Sequence, residues 1–355
     1  MMSAGVAGTL ITDNRTGHMT RLFTTIPPST AYGQDYAQYV RRVVDWGSAA
    51  GVEGALIYTD NSLVDPWAVA QLVLERTRMF TPLIATQPIY MPPFTAAKRI
   101  ASYAQLYGGK VALNMVAGGF KKDLNAFGDD TPHDERYARL EEYSEIIMAL
   151  LHGETVTIEG SYHHMEGVRL LPDVDASLLP EIFLSGSSDA GRETAMRLGA
   201  TAVSYPPTPE EIKKRVAPGS FARVGIIARD TAEDAWTLAH ARFPQDRRGR
   251  LAHRMATASS DSVWVKQLAD LGEKLESAPQ GLYWLHPLQT YKTFCPYLVG
   301  SHAEVAQVIA DYAGIGFDGF ILDVPATQED LPNTVEVFRQ AGLSVGYKSL
   351  QMAFG

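Results

Sequence analysis

Eight short apolar runs, separated by stretches with helical spacing, constrain the fold of this chain more than any other feature. The runs cover residues 21–27, 54–59, 81–86, 110–116, 181–186, 200–205, 223–229 and 318–324. Each is short and largely apolar, and residues 54–59 are bounded by turn formers, as expected of a strand buried on both faces. Between them the period changes. Tyr36, Tyr39, Val40, Val43 and Val44 lie on one side of a helix over residues 36–50, with Gly51 placed to end it. Asp65-Pro66 reads as an acidic N-cap with proline at the first helical position. Further helices are expected over residues 94–107, closed by Gly108-Gly109, over 133–152, closed by Gly153, and over 303–312. Eight strands alternating with helices give a TIM (β/α)8 barrel as the first choice and an open doubly wound sheet as the second.

Two segments interrupt the cycle. Residues 156–170 alternate with period two around Gly160 and read as a β-hairpin insertion. Residues 243–296 form a long insertion in the C-terminal half, with one helix expected over 264–275 and an aromatic stretch after it. An insertion of that length is expected to serve as a lid or binding loop. The 355 residues are thus read as a flexible extension, residues 1–20, and a single barrel domain, residues 21–355.

Composition narrows the function. The net charge of −9 argues against nucleic acid as a general partner, because phosphate binding needs a surplus of Lys and Arg. The one basic run, Asp246-Arg247-Arg248-Gly249-Arg250, reads as a solvated helix end or loop. A single cysteine, Cys295, excludes an internal disulfide framework and suits a reducing cytoplasm. No secretory signal pattern and no membrane-length apolar run are found, so a cytoplasmic protein without membrane or nucleic-acid partners is expected. His163-His164 sits in the hairpin, where neighbours face opposite ways, and the other histidines lack ligand spacing; no metal is expected.

The motifs with chemical content lie at strand ends. GxGxxG, Walker A, GxSxG and HExxH are all absent. Residues 184–190 (LSGSSDA) end a strand and open a helix, so Gly186, Ser187 and Ser188 offer an anion small side chains and a helix N-terminus, or else make an ordinary cap. His133 and Tyr137 are one turn apart at the start of the helix after the fourth strand and both can donate to a phosphate. Asn114 and Gly118-Gly119 follow the fourth strand, where a flat ring can approach the backbone. Arg223, in the seventh strand, either holds an anionic substrate in the mouth or makes a rim ion pair.

Together and in this order, these pieces resemble the bacterial luciferase-like flavin-dependent monooxygenases, in particular their alkanesulfonate and nitrilotriacetate branch. The most specific are His133-x-Glu135-Arg136-Tyr137 and Gly186-Ser187-Ser188-Asp189-Ala190, supported by Asn114-x-Val116-x-Gly118-Gly119 and Leu298-Val299-Gly300-Ser301. The resemblance spans residues 21–330 and is weakest over 243–296. It implies a TIM-type barrel whose members take FMNH2 from a separate NAD(P)H:flavin reductase, form a flavin C4a-(hydro)peroxide with O2, and oxygenate a small substrate. It assigns the FMN phosphate to His133, Tyr137, Ser187 and Ser188, with Gly186 beside them, and the isoalloxazine ring to Thr59, Gln87 and Asn114. A homodimer or homotetramer is implied as well.

The sulfonate-holding set is mostly missing. Leu63 stands where that branch has cysteine, Ser29 or a neighbour where it has histidine, Gly225 where it has a second histidine, and Val324-Pro325 where it has tyrosine. Arg223 is kept. A substrate other than a simple alkanesulfonate is therefore expected, with hydroxylation, desulfonation and Baeyer–Villiger insertion all open. The aromatic insertion, with Trp264, Tyr283, Trp284, Tyr291 and Phe294, is expected to cover the flavin or grip substrate, or else to pack the insertion on the barrel, and His286 to exchange a proton at the mouth. The alternatives are an F420-dependent oxidoreductase of the same fold and a non-catalytic flavin-binding barrel.

Overall fold

In the computed structural model the eight apolar runs become eight parallel strands, and the ring they form is closed. The description covers residues 19–118, 120–186, 188–212, 216–260, 262–275 and 281–346. In chain order the strands are β1 (Arg21–Thr25), β2 (Gly54–Ile57), β3 (Thr81–Thr86), β4 (Ala112–Met115), β5 (Thr155–Glu159), β6 (His164–Arg169), β7 (Glu181–Ser185), β8 (Thr201–Ser204), β9 (Ser220–Arg229), β10 (Tyr283–Trp284), β11 (Tyr297–Ser301) and β12 (Phe317–Leu322). The barrel runs β1-β2-β3-β4-β7-β8-β9-β12 and back to β1, through Arg21 opposite Gly319 and Phe23 opposite Ile321. This decides for the barrel over the open sheet.

The helices are α1 (Tyr36–Ala49), α2 (Pro66–Arg76), α3 (Pro93–Tyr107), α4 (Lys121–Ala126), α5 (His133–Leu151), α6 (Asp189–Arg197), α7 (Ala232–Arg242), α8 (Arg247–Ser259), α9 (Val263–Leu275), α10 (His286–Gln289), α11 (His302–Ile315) and α12 (Asp330–Gln340). Their ends follow local chemistry. The Asp65 side chain accepts from Trp67 N–H at the start of α2, and Ser301 and Glu304 form a reciprocal capping box on α11. Gly108 closes α3 in the left-handed conformation.

Two apolar layers result. Inside the barrel, each strand contributes one buried side chain to a single cluster: Phe23, Leu56, Leu83, Ala112, Phe183, Val203, Phe221 and Ile321. Phe23, Phe183 and Phe221 meet edge to face at centroid distances of 5.6, 6.2 and 5.1 Å. Burying each such ring contributes about 1.5–3 kcal/mol relative to leaving it in water. The opposite strand faces pack on the helices through residues such as Leu22, Val40, Ile84, Leu113 and Ile147. At the N-terminal ends of the strands, Arg21 lies over all three phenylalanine rings and is bound by Glu53 and Glu181.

Strand β9 does more than one barrel strand requires. Its first half pairs with β12, from Ser220 to Val224, and its second half with β11, from Gly225 to Arg229. β11 was expected only as a motif, residues 298–301; it is a strand that ties the end of the long insertion to the barrel wall. The insertion holds α8 and the four-residue α10 besides the expected α9. The basic run at residues 246–250 is the start of α8, with the Asp246 side chain accepting from Gly249 N–H. The hairpin β5-β6 forms as expected, its tip held by the Glu142 carboxylate, which accepts from the N–H groups of Ser161, Tyr162 and His163. Of the expected extension, residues 1–18 lie outside the described residues. Thr20 is buried and its N–H donates to the Ser344 carbonyl, so this residue of the expected extension packs on the barrel.

Candidate active site

The C-terminal ends of the strands surround a cavity of about 510 Å³. In a parallel barrel this is where loops converge and where strand-end side chains point into open space. Thr59 follows β2, Gln87 follows β3, and Asn114 lies within β4; all three line the cavity. The Asn114 amide oxygen accepts from Ser185 Oγ at 2.9 Å, which fixes the side chain at the cavity wall. Ala85, Val116, Ala117 and Gly118 supply an apolar wall beside these amides.

Another wall is built from α5 and the start of α6. His133, Tyr137, Gly186 and Ser188 all line it. The rings of His133 and Tyr137 meet edge to face at 5.3 Å, one turn apart on α5. Tyr137 packs so close to the strand-to-helix turn that a Cβ on Gly186 would lie 2.6 Å from its hydroxyl oxygen, so a side chain there would have to displace the phenol. Ser188 caps α6, its Oγ accepting from Gly191 N–H at 3.1 Å. The other first-turn N–H groups of α6 have no intrahelical acceptor, and with the helix dipole they favour an anion. Ser187 lies outside the described residues.

The floor is ionic but covered. Arg223 is 1% exposed and does not line the cavity; Tyr58, directly above it, does. The Arg223 guanidinium donates to Tyr58 OH, donates to Thr25 Oγ1 at 3.3 Å and lies 3.8 Å from Asp323. Its Nε has no partner. Asp323 accepts from Thr293 and Tyr297 at 2.6 and 2.7 Å. Burial pushes the Tyr58 phenol well above its usual range, against the opposing pull of the Arg223 charge. Burial likewise raises the Cys295 thiol, which is fully enclosed.

The roof comes from the insertion and the loop after β4. Phe120 bridges Ser260, and both line the cavity with Trp264, Tyr291 and Phe294. Trp264 stacks on Tyr205 at 3.9 Å, and Phe294 meets Tyr58 at 5.9 Å. Tyr291 is held at φ 57°, a region that non-glycine residues seldom occupy and that carries strain.

A family model for luciferase-like monooxygenases matches residues 19–319. The chain belongs to the luciferase-like monooxygenase family. It is 33% identical over 306 residues, covering 84% of this chain and 89% of the relative, to the 4-(gamma-L-glutamylamino)butanoyl-[BtrI acyl-carrier protein] monooxygenase BtrO of Niallia circulans. The fold is shared with riboflavin lyase RcaE, at TM-score 0.75, 17% identity and coverage of 94% of both chains. It is shared too with the EDTA monooxygenase EmoA of Chelativorans sp. BNC1, at TM-score 0.71, 15% identity and coverage of 94% of this chain and 96% of that one. The protein is thus a flavin-dependent monooxygenase on a TIM barrel.

In this luciferase-like monooxygenase the structure brings Thr59, Gln87, Asn114, His133, Tyr137, Gly186 and Ser188 to one cavity. It does not bring His286 there. The expectation that His286 exchanges protons at the mouth is corrected: its ring stacks on Trp284 at 5.3 Å, is buried, and points Nε2 at the Pro244 carbonyl. Burial lowers its affinity for a proton, in keeping with a neutral packed side chain. Arg223 is corrected in part, because Tyr58 covers it and keeps it from the cavity surface. Of the insertion aromatics, Trp264, Tyr291 and Phe294 face the cavity, whereas Trp284 packs on Trp236 and Phe243, and Tyr283 donates to the Pro206 carbonyl. Sequence reasoning missed Tyr58; its only signal was a tyrosine closing an otherwise aliphatic strand, residues 54–59. Among the described residues no group of three or more His, Cys, Asp or Glu is placed to hold a metal, and no helix is long and apolar enough to cross a membrane.

Proposed function

We propose that this monooxygenase binds reduced FMN delivered by a separate NAD(P)H:flavin reductase and uses O2 to oxygenate an acyl group carried on an acidic carrier protein. One observation carries the cofactor reading: a single cavity has phosphate-type donors on the α5–α6 wall and ring-edge amides against an apolar wall at β2 to β4. The close approach of Tyr137 to Gly186 supports it, since that turn leaves backbone rather than side chain facing the anion. His133, Tyr137, Ser188 and the α6 N-terminus would hold the phosphate, and Thr59, Gln87 and Asn114 the ring. The bound flavin supplies the activation of O2.

The chain's own residues do the rest. The roof of Phe120, Trp264, Tyr291 and Phe294 excludes water from the reacting space. Tyr58 accepts from Arg223, so its O–H proton is directed away from that guanidinium and is available to a substrate oxygen. Burial keeps that proton on the phenol at neutral pH. The absence of a dinucleotide motif supports a separate reductase. The acyl-carrier substrate is supported by the name of the 33% identical relative and by the aromatic side chains in the roof over the cavity. A homodimer or homotetramer is the assembly we expect, to be read from sedimentation.

Anaerobic titration with FMN, FMNH2 and F420, followed by mixing with O2, tests the cofactor reading. Tight binding of FMNH2 with O2 consumption is expected. Preference for F420 without O2 consumption would move the protein to hydride transfer, and FMN binding without turnover would leave a non-catalytic barrel. Ser188→Asp places a carboxylate against the phosphate and is expected to weaken flavin binding by roughly 10–100-fold; unchanged affinity would put the phosphate elsewhere.

A further inference from the structure

Helix α8 has a face that neither the barrel nor the cavity uses. The helix carries Arg247, Arg248, Arg250 and Arg254 and no carboxylate, in a chain whose net charge is −9. Arg247, Arg248 and Arg254 are exposed, and no ion pair joins them to another described residue. Between them lie two of the chain's exposed large apolar side chains, Leu251 at 54% and Met255 at 66%, one turn apart. At 3.6 residues per turn these five residues fall on one side of the helix. The other side is the packed one: His253 is buried, and Gly249 lies against the Thr290 carbonyl.

Both ends of α8 are fixed to the cavity rim. At its start, Asp246 pairs with Lys292 at 2.7 Å, and Lys292 lines the cavity. Just after its end, Ser260 bridges Phe120, and both line the cavity. The cationic, apolar-centred face therefore runs along the entrance.

We propose that this face of α8 docks the carrier protein that presents the substrate, through acidic side chains around an apolar centre. The inference rests on the carrier-bound reading of the substrate given above. Charge complementarity selects an acidic partner, and rim cations of this kind speed encounter and fix orientation. Leu251 and Met255 select a protein surface over a polyphosphate, because they need an apolar counterpart. The position selects a partner that must reach into the cavity, since a substrate tethered by a flexible arm has to enter beside its carrier.

The test uses the full-length flavin-loaded enzyme and a purified acidic acyl carrier protein bearing its phosphopantetheine arm. Binding is measured by fluorescence anisotropy of the labelled carrier at low and high salt. The wild type is expected to bind with an affinity that falls as salt rises. Arg247→Glu/Arg248→Glu/Arg254→Glu is expected to weaken binding by on the order of tenfold or more, and Leu251→Ser/Met255→Ser by a smaller factor. Flavin affinity and the circular dichroism spectrum should be unchanged in both variants. Salt-sensitive binding by the wild type that the charge reversals leave intact would overturn the assignment to α8 while leaving the carrier reading in place. No binding by the wild type, together with turnover of free acyl-pantetheine thioesters, would overturn the carrier reading and the docking face with it. Unchanged carrier binding with slower uptake of reduced flavin from a reductase would assign the face to the reductase, and likewise overturn the proposal.

Discussion

Arg21 and Arg223 are both buried in the barrel, one at each end, and they are satisfied differently. Arg21 donates to Glu53 twice at 2.7 Å and to Glu181 at 2.9 and 2.8 Å, above three phenylalanine rings. Arg223 holds one phenol and one threonine hydroxyl, stands 3.8 Å from its carboxylate, and leaves Nε without a partner. Desolvation opposes both charges. At the bottom, two bidentate carboxylates offset that cost, and the result is a plug. At the top, the nearest carboxylate is turned toward Thr293 and Tyr297, and the guanidinium is left to orient Tyr58 at the cavity floor. The comparison separates a group kept for stability from one kept for positioning.

Removing each arginine breaks the comparison open. Arg21→Met strands two carboxylates and is expected to cost about 3–5 kcal/mol in denaturant unfolding, with turnover of the folded fraction unchanged. Arg223→Met is expected to do the reverse, lowering turnover by roughly 10–100-fold while costing less stability, because Asp323 keeps its two hydroxyl donors. Equal stability losses in the two variants would remove the distinction. Tyr58→Phe keeps the ring against Phe294 and removes only the hydroxyl that Arg223 orients. A turnover loss close to that of Arg223→Met, with under about 1.5 kcal/mol lost from stability, is the sign that the arginine acts through the phenol.

The smallest effect concerns a third ion pair, between Asp129 and Arg139 of α5. Arg139 and two groups of Thr131 hold the Asp129 carboxylate at about 2, below its ordinary 3.8, although burial alone would raise it. A depressed folded-state value means that this contribution is complete above pH 3.8 and is lost as pH falls toward about 2. Acid unfolding of Asp129→Asn, compared with the wild type, should show the two curves converging over that window; parallel curves would show that the pair adds nothing to stability.

Most of the barrel was legible because buried parallel strands are nearly continuous apolar runs, several of them stopped by glycine or proline. The gathering of the candidate site residues at one cavity was legible because they sit at fixed offsets from the strand ends: Gln87 directly after β3, and Gly186 directly after β7. The floor was not. Arg223 in sequence is a cation in a strand; only the fold shows Tyr58 above it. Gly225 shows the same limit. It looks like a lost side chain, yet a Cβ there would lie 2.4 Å from the Tyr297 ring, so glycine is what lets Tyr297 reach Asp323. His286 misled because an aromatic-rich insertion offers a histidine two kinds of neighbour, and packing against Trp284 won over the cavity.

Strand β9 belongs to the barrel over its first half and to the insertion's sheet over its second. The insertion therefore has two fixed posts, the ends of β9 and β11, whose spacing is set by main-chain hydrogen bonds and not by the residues between them. Evolution can rewrite those intervening residues, and with them the roof of the cavity, without renegotiating the barrel. A laboratory chimera would do best with its splice points inside the two strands.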